Sequence, residues 1–186
     1  MMDSDHITGI ILAGGKSARM GEDKALKLHQ NKPFISYIIE SLEHFTSKII
    51  IVSDHKSHEQ FAYPRISDCI PNKGPLGGIY SGLLESSTEK NIILSCDIPF
   101  VIPKVIQVLL NEYQKSFDAI VYASNPLIGI YNRSIISKIK LPLLSGELSI
   151  RKNLVALHTK YIQSDPEHMK YLQNINTPEH YKNATI

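Results

Sequence analysis

Short runs of aliphatic and β-branched residues alternate along this chain with stretches whose apolar positions recur every three or four residues. Residues 7–12, 49–53, 92–95, 119–122 and 127–131 are predicted as strands, most of them apolar enough to be buried on both faces. Over residues 34–45 the apolar positions Phe34, Ile35, Ile38, Ile39, Leu42 and Phe45 form one helical stripe. Residues 75–84 and 103–113 also read as helices, with Pro103 suited to a first turn. After Lys140 the pattern is less regular. Residues 171–176 read as a short strand entering a helix at Asn176-Thr177-Pro178-Glu179, with Asn176 as its cap. This alternation predicts a Rossmann-like α/β fold, a single domain over residues 1–186. Its sheet is doubly wound and mostly parallel, with helices on both faces and ligands at the carboxyl ends of the strands.

Composition narrows the classes. Of 186 residues, 42% are hydrophobic and 20% charged, which excludes a disordered chain. A formal net charge of +2 is too small to imply a nucleic-acid or membrane partner. Cys69 and Cys96 have no metal-ligand spacing and read as reduced thiols rather than a disulfide. The apolar run at 7–12 is too short for a signal peptide or a membrane span, so a soluble, cytoplasmic protein is expected. His55, His58 and His168 form no spaced pair beside a strand-end carboxylate. They are expected to be solvated and receive no role.

The most informative stretch follows the first strand: Leu12-Ala13-Gly14-Gly15-Lys16-Ser17-Ala18-Arg19-Met20-Gly21-Glu22-Asp23-Lys24. Without side chains, Gly14 and Gly15 let backbone N–H groups approach phosphate oxygens closely. Arg19 can offer a bidentate fork to phosphate, and Lys24 a mobile point charge. A Walker A loop would need glycine where Ile10 stands, and the dinucleotide pattern needs a Gly-x-Gly that is missing. Neither a P-loop GTPase nor a dehydrogenase is supported.

Leu-Ala-Gly-Gly-x-Ser-x-Arg-Met-Gly-x-Asp-Lys resembles the signature of the molybdenum cofactor guanylyltransferases, the MobA family within the nucleotidyltransferase fold. Asp97, in Cys96-Asp97-Ile98-Pro99, stands where a buried strand ends. The residues alone allow either a Mg²⁺ ligand or an Asx turn before proline; the resemblance assigns the metal role. Asp68 precedes Gly74-Pro75-Leu76-Gly77-Gly78, which by itself reads as loop punctuation. The resemblance places Asp68, and with it Gly74, Gly77 and Gly78, along the nucleotide. Asn125-Pro126-Leu127-Ile128-Gly129-Ile130-Tyr131 and Asn174-Ile175-Asn176-Thr177-Pro178 are similar to further family segments. Where the family commonly carries asparagine after its second strand, this chain has Val52-Ser53-Asp54.

The resemblance implies transfer of GMP from GTP to the phosphate of molybdopterin, with release of pyrophosphate and Mg²⁺ as cofactor. It implies Arg19, Lys24 and Asp97 as catalytic residues, with Asp97 holding the metal. Leu12, Ala13, Gly14, Gly15, Lys24, Asp68 and Asp97 would contact the nucleotide. Pathway proteins that deliver or accept the cofactor are the expected protein partners. The alternatives are a cytidylyl- or sugar-phosphate nucleotidyltransferase of the same fold, or a non-catalytic GTP-binding module. Relatives using CTP read Leu-Ala-Ala-Gly, whereas Gly14 stands third here. Sugar-nucleotide enzymes flank the lysine with prolines, whereas Asp23 and Ala25 flank Lys24.

Overall fold

The structure, a computed structural model, describes residues 6–14 and 23–184. The strands are β1 (Ile7–Leu12), β2 (Leu28–His29), β3 (Lys32–Pro33), β4 (Lys48–Val52), β5 (Arg65–Ile66), β6 (Lys90–Ser95), β7 (Ala119–Tyr122), β8 (Ile128–Asn132) and β9 (Thr159–Ile162). The helices are α1 (Phe34–Glu43), α2 (Gly74–Glu85), α3 (Pro103–Asn111), α4 (Ile136–Ser145), α5 (Ile150–Ala156) and α6 (Pro178–Ala184). Seven strands form one sheet in the order β5-β4-β1-β6-β8-β7-β9, and β2 and β3 form a small hairpin apart from it. Only β8 runs antiparallel to its sheet neighbours. The predicted mostly parallel α/β sheet is what the chain forms.

The period-two alternation of the strands sorts their side chains between two layers. Ile7 and Ile11 of β1 pack with α1 and α3, while Ile10 and Leu12 pack with α2 and α4. The central strands β1, β4 and β6 are apolar on both faces because helices cover both. Gly82 of α2 lets that helix settle onto β1: a methyl there would fall 2.5 Å from Ile10 Cγ2. Strands β1, β4, β5 and β6 therefore end together at one edge, with the start of α2 beside them. Among the described residues no helix is long and apolar enough to cross a membrane.

The tail departs from the sequence expectation. Residues 171–176 form no strand; Pro166–Leu172 is a 3-10 helix, and the following segment is held by a loop contact, Ile175 N–H donating to the Asp97 carbonyl at 2.7 Å. Helix α6 does follow, but Thr177 caps it, its hydroxyl accepting from His180 N–H at 3.0 Å. Asn176 is turned elsewhere. Helices α4 and α5 were not anticipated. Pro142 sits inside α4, where a proline reads as a helix breaker, and α5 has only seven residues, opened by a Ser149 cap.

Candidate active site

At the end of β1 the backbone is bound into the sheet on both sides. Leu12 C=O accepts from Cys96 N–H and Ala13 N–H donates to Val52 C=O, each at 3.0 Å. Gly14 is the first exposed residue beyond. A methyl at Gly14 would find the Val52 carbonyl at 3.7 Å, an ordinary contact, so its lack of a side chain opens space without being demanded by packing.

Beside Gly14 the loops after β4 and β5 are tied together. Ser53 N–H donates to Ile66 C=O at 2.8 Å, and Asp68 N–H to Asp54 Oδ1 at 3.3 Å. Ser53 is buried, its hydroxyl taken by His55 N–H and its carbonyl by Arg65, so its polar atoms serve its own loop. Asp68 lies against the first turns of α2, where methyls at Gly77 and Gly78 would meet its carboxylate oxygens at 3.9 and 3.8 Å. The Ser81 hydroxyl is 3.2 Å from Asp68 Oδ1. Burial pushes the Asp68 carboxyl above its ordinary value; the Ser81 bond opposes this and the charge of Asp54 adds to it.

The second half of the site forms at the end of β6. Asp97 Oδ1 is buried with no hydrogen-bond partner among the described residues. A desolvated carboxylate oxygen is costly unless a cation or donor meets it. That orphaned oxygen and its chemistry fit a divalent cation. Cys96, next to it, is pushed up to about 12 by burial and by the charges of Asp97 and Asp23, against the pull of Lys24. Burial thus favours its thiol form over the thiolate.

Lys24 arrives from the other side. It opens a 3-10 turn, Lys24–Leu26, whose cap is Asp23: Oδ1 accepts from Ala25 N–H at 3.0 Å. Lys24 Nζ donates to Asn176 Oδ1 at 2.5 Å. Asn176 follows the residue that bonds to the Asp97 backbone, so one short segment fixes both the lysine and the acid. The other Asp23 oxygen, Oδ2, lies 2.8 Å from Nε2 of His58. His58 is 0% exposed and His168 6%, which corrects the expectation that these histidines are solvated; His55 is exposed as expected.

Asn176 also lines an open cleft of about 710 Å³ with Asn125, Arg151, Met169, Asn174 and His180. Arg151 is steered there by bonds to the carbonyls of Ala123 and Ser124, and Asn125 by a 2.6 Å bond to Asn174. Leu12, Ala13, Gly14 and Asp68 thus gather at one end of the site, Lys24 and Asp97 at its middle. Gly15 and Arg19 lie outside the described residues. The sequence pointed to neither the part played by Asn176, taken as a helix cap, nor to His58. Asp23 stood inside the signature without a role.

Comparison with known proteins bears on this arrangement. The profile of the MobA-like NTP transferase domain matches residues 9–159. A protein of Flavobacterium johnsoniae named probable molybdenum cofactor guanylyltransferase is 36% identical over 98% of both chains. One of the same name from Natranaerobius thermophilus is 32% identical, covering 97% of this chain and 96% of that one. Among solved structures, molybdopterin-guanine dinucleotide biosynthesis protein A of Archaeoglobus fulgidus superposes with a TM-score of 0.81 at 24% identity. The match covers 95% of this chain and 96% of that one.

Proposed function

Because the chain belongs to the MobA-like NTP transferase family, we propose that it transfers GMP from GTP to the phosphate of molybdopterin and releases pyrophosphate. The nucleophile is a phosphate oxygen, already an anion at neutral pH, so no general base is required. Catalysis then rests on positioning and on neutralising charge. Gly14 and the backbone of Leu12 and Ala13 form the floor for the nucleoside, and Asp68 accepts from the N1–H and N2–H₂ donors of guanine. Gly15 and Arg19 join the phosphate site on their place in the signature. Lys24 carries positive charge to the leaving pyrophosphate.

Asp97 would hold Mg²⁺ through the oxygen that has no donor among the described residues. Bound there, the ion supplies positive charge to the phosphate oxygens. The cleft lined by Arg151, Asn174 and His180 receives the acceptor. Its polar rim suits a pterin phosphate, and its place next to Lys24 suits in-line attack. A single domain is supported by Asn176, which lies beyond the matched 9–159 and yet binds Lys24. Two cysteines free of any disulfide fit a cytoplasmic enzyme.

The single observation carrying this reading is the convergence on residues 174–176. The segment bonds Asp97, holds Lys24 and lines the acceptor cleft, so nucleotide and acceptor sites share one wall. Pyrophosphate release tests it. Release should require GTP and molybdopterin together; release from GTP alone, or none with both, would overturn the reading.

A further inference from the structure

His58 is the one fully buried imidazole among the described residues. It sits in the 3-10 helix Lys56–Gln60 after β4. Its Nε2 is 2.8 Å from Asp23 Oδ2, a close side-chain contact whose charge favours the protonated ring. The other ring nitrogen, Nδ1, has no hydrogen-bond partner among the described residues. Each buried polar atom left in this way is costly, about 1–3 kcal/mol, so an apolar ring would suit the position better if packing were its only role. What the imidazole does offer is contact with Asp23, whose other oxygen caps the turn that carries Lys24.

We propose that His58 is a positioning residue for Lys24, acting through Asp23. The pairing fixes the carboxylate, the carboxylate fixes the Ala25 amide of the turn, and the turn aims the ammonium at Asn176 and the phosphate site. Other groups facing the ring are few. His55 lies 5.7 Å away between ring centroids and Phe61 6.3 Å, and the Arg65 charge is felt from β5. Burial holds the imidazole below its ordinary value, with Asp23 opposing, so it works as a neutral contact rather than as an acid. The inference rests on the reading of Lys24 as the residue that serves the leaving group.

The test is a set of steady-state measurements with GTP on H58F, H58Q, K24A and the double variant H58F/K24A. H58F should lower kcat about tenfold or more while leaving KM for GTP within about threefold, because misplacing a reacting group costs chemistry rather than binding. H58Q, which keeps an amide near the Nε2 position, should recover most of that loss. On the K24A background, H58F should change kcat by no more than about twofold, since there is no lysine left to aim. An equal loss on both backgrounds, or an unchanged kcat in H58F, overturns the proposal while leaving Lys24 in place. A fully active K24A protein overturns the reading of Lys24 and the proposal with it. Thermal melts accompany each variant. If H58F does not fold, H58Q against D23A carries the comparison: H58Q should keep most of the parent kcat and D23A should lose about tenfold or more, and an undiminished kcat in D23A, or an equal loss in H58Q, overturns the proposal. Loss of fold in both His58 variants would make the residue a core element alone and also overturn it.

Discussion

Lys24 and Asn176 are 152 positions apart and meet through a bond of 2.5 Å, closing the site across nearly the whole chain. The side chain of Asn176 is not needed to cap α6, because Thr177 does that. N176A is therefore expected to leave the melting temperature nearly unchanged and to lower kcat about tenfold or more, as K24A should. Charge grows on pyrophosphate only as the bond breaks, so GTP binding should weaken less than turnover falls. A raised KM at unchanged kcat in both variants would reduce this pair to uniform binding.

Asp97 carries the next expectation. Replacing its carboxylate with an amide of equal volume removes the charge and keeps the shape. D97N should fold, as seen by its melting curve, and lose turnover, and excess Mg²⁺ should not restore it. Activity within about threefold of the parent, well under 1 kcal/mol in barrier, would show that Asp97 is not the metal acid.

On the proposed reading, base choice depends on Gly14 and Asp68. A methyl at Gly14 makes only ordinary contact with Val52 and Ser53, so G14A should fold as the parent does. It would fill space next to the nucleoside, and the preference for GTP over CTP should shrink. D68A should narrow the preference as well, since guanine's donors lose their acceptor at about 1–3 kcal/mol. Because burial raises the Asp68 carboxyl, KM for GTP should begin to climb at a higher pH on acidification than an ordinary carboxylate would give. Preference undiminished in both variants would move base reading elsewhere.

His58 also makes stability depend on pH. Burial depresses the folded-state value of its imidazole, so below an ordinary histidine value of about 6.5 the unfolded chain binds a proton that the folded chain refuses. Stability from this residue is thus present above that pH and is lost as pH falls toward the folded value. Urea midpoints should drop between pH 7.5 and 5.5 by more in the parent than in H58Q; equal drops would contradict the assignment.

Much of the fold could be read directly. Buried strands such as Ile7–Leu12 carry helices on both faces, and their apolar runs announce it; helix α1 shows its stripe from Phe34 to Leu42. The edges could not be read in this way. Strand β9 is half exposed, β5 has two residues, and neither gives a periodicity long enough to see. Gly14, Lys24 and Asp97 were legible as candidates because close backbone approach, a mobile cation and a strand-end carboxylate each need a particular residue type, and the fold brings them to one end of the sheet. Asn176 was hidden behind an adequate local explanation, the helix cap that Thr177 in fact supplies. His58 gave no signal, since its burial comes from the way the loop after β4 folds against Asp23.

The most direct test of the guanylyl transfer is to incubate the protein with molybdopterin, Mg²⁺ and either GTP or CTP, and to measure the dinucleotide formed. GTP should give molybdopterin guanine dinucleotide with a kcat/KM about tenfold to a hundredfold above that for CTP. Comparable values for the two nucleotides, or no dinucleotide from GTP, would contradict it.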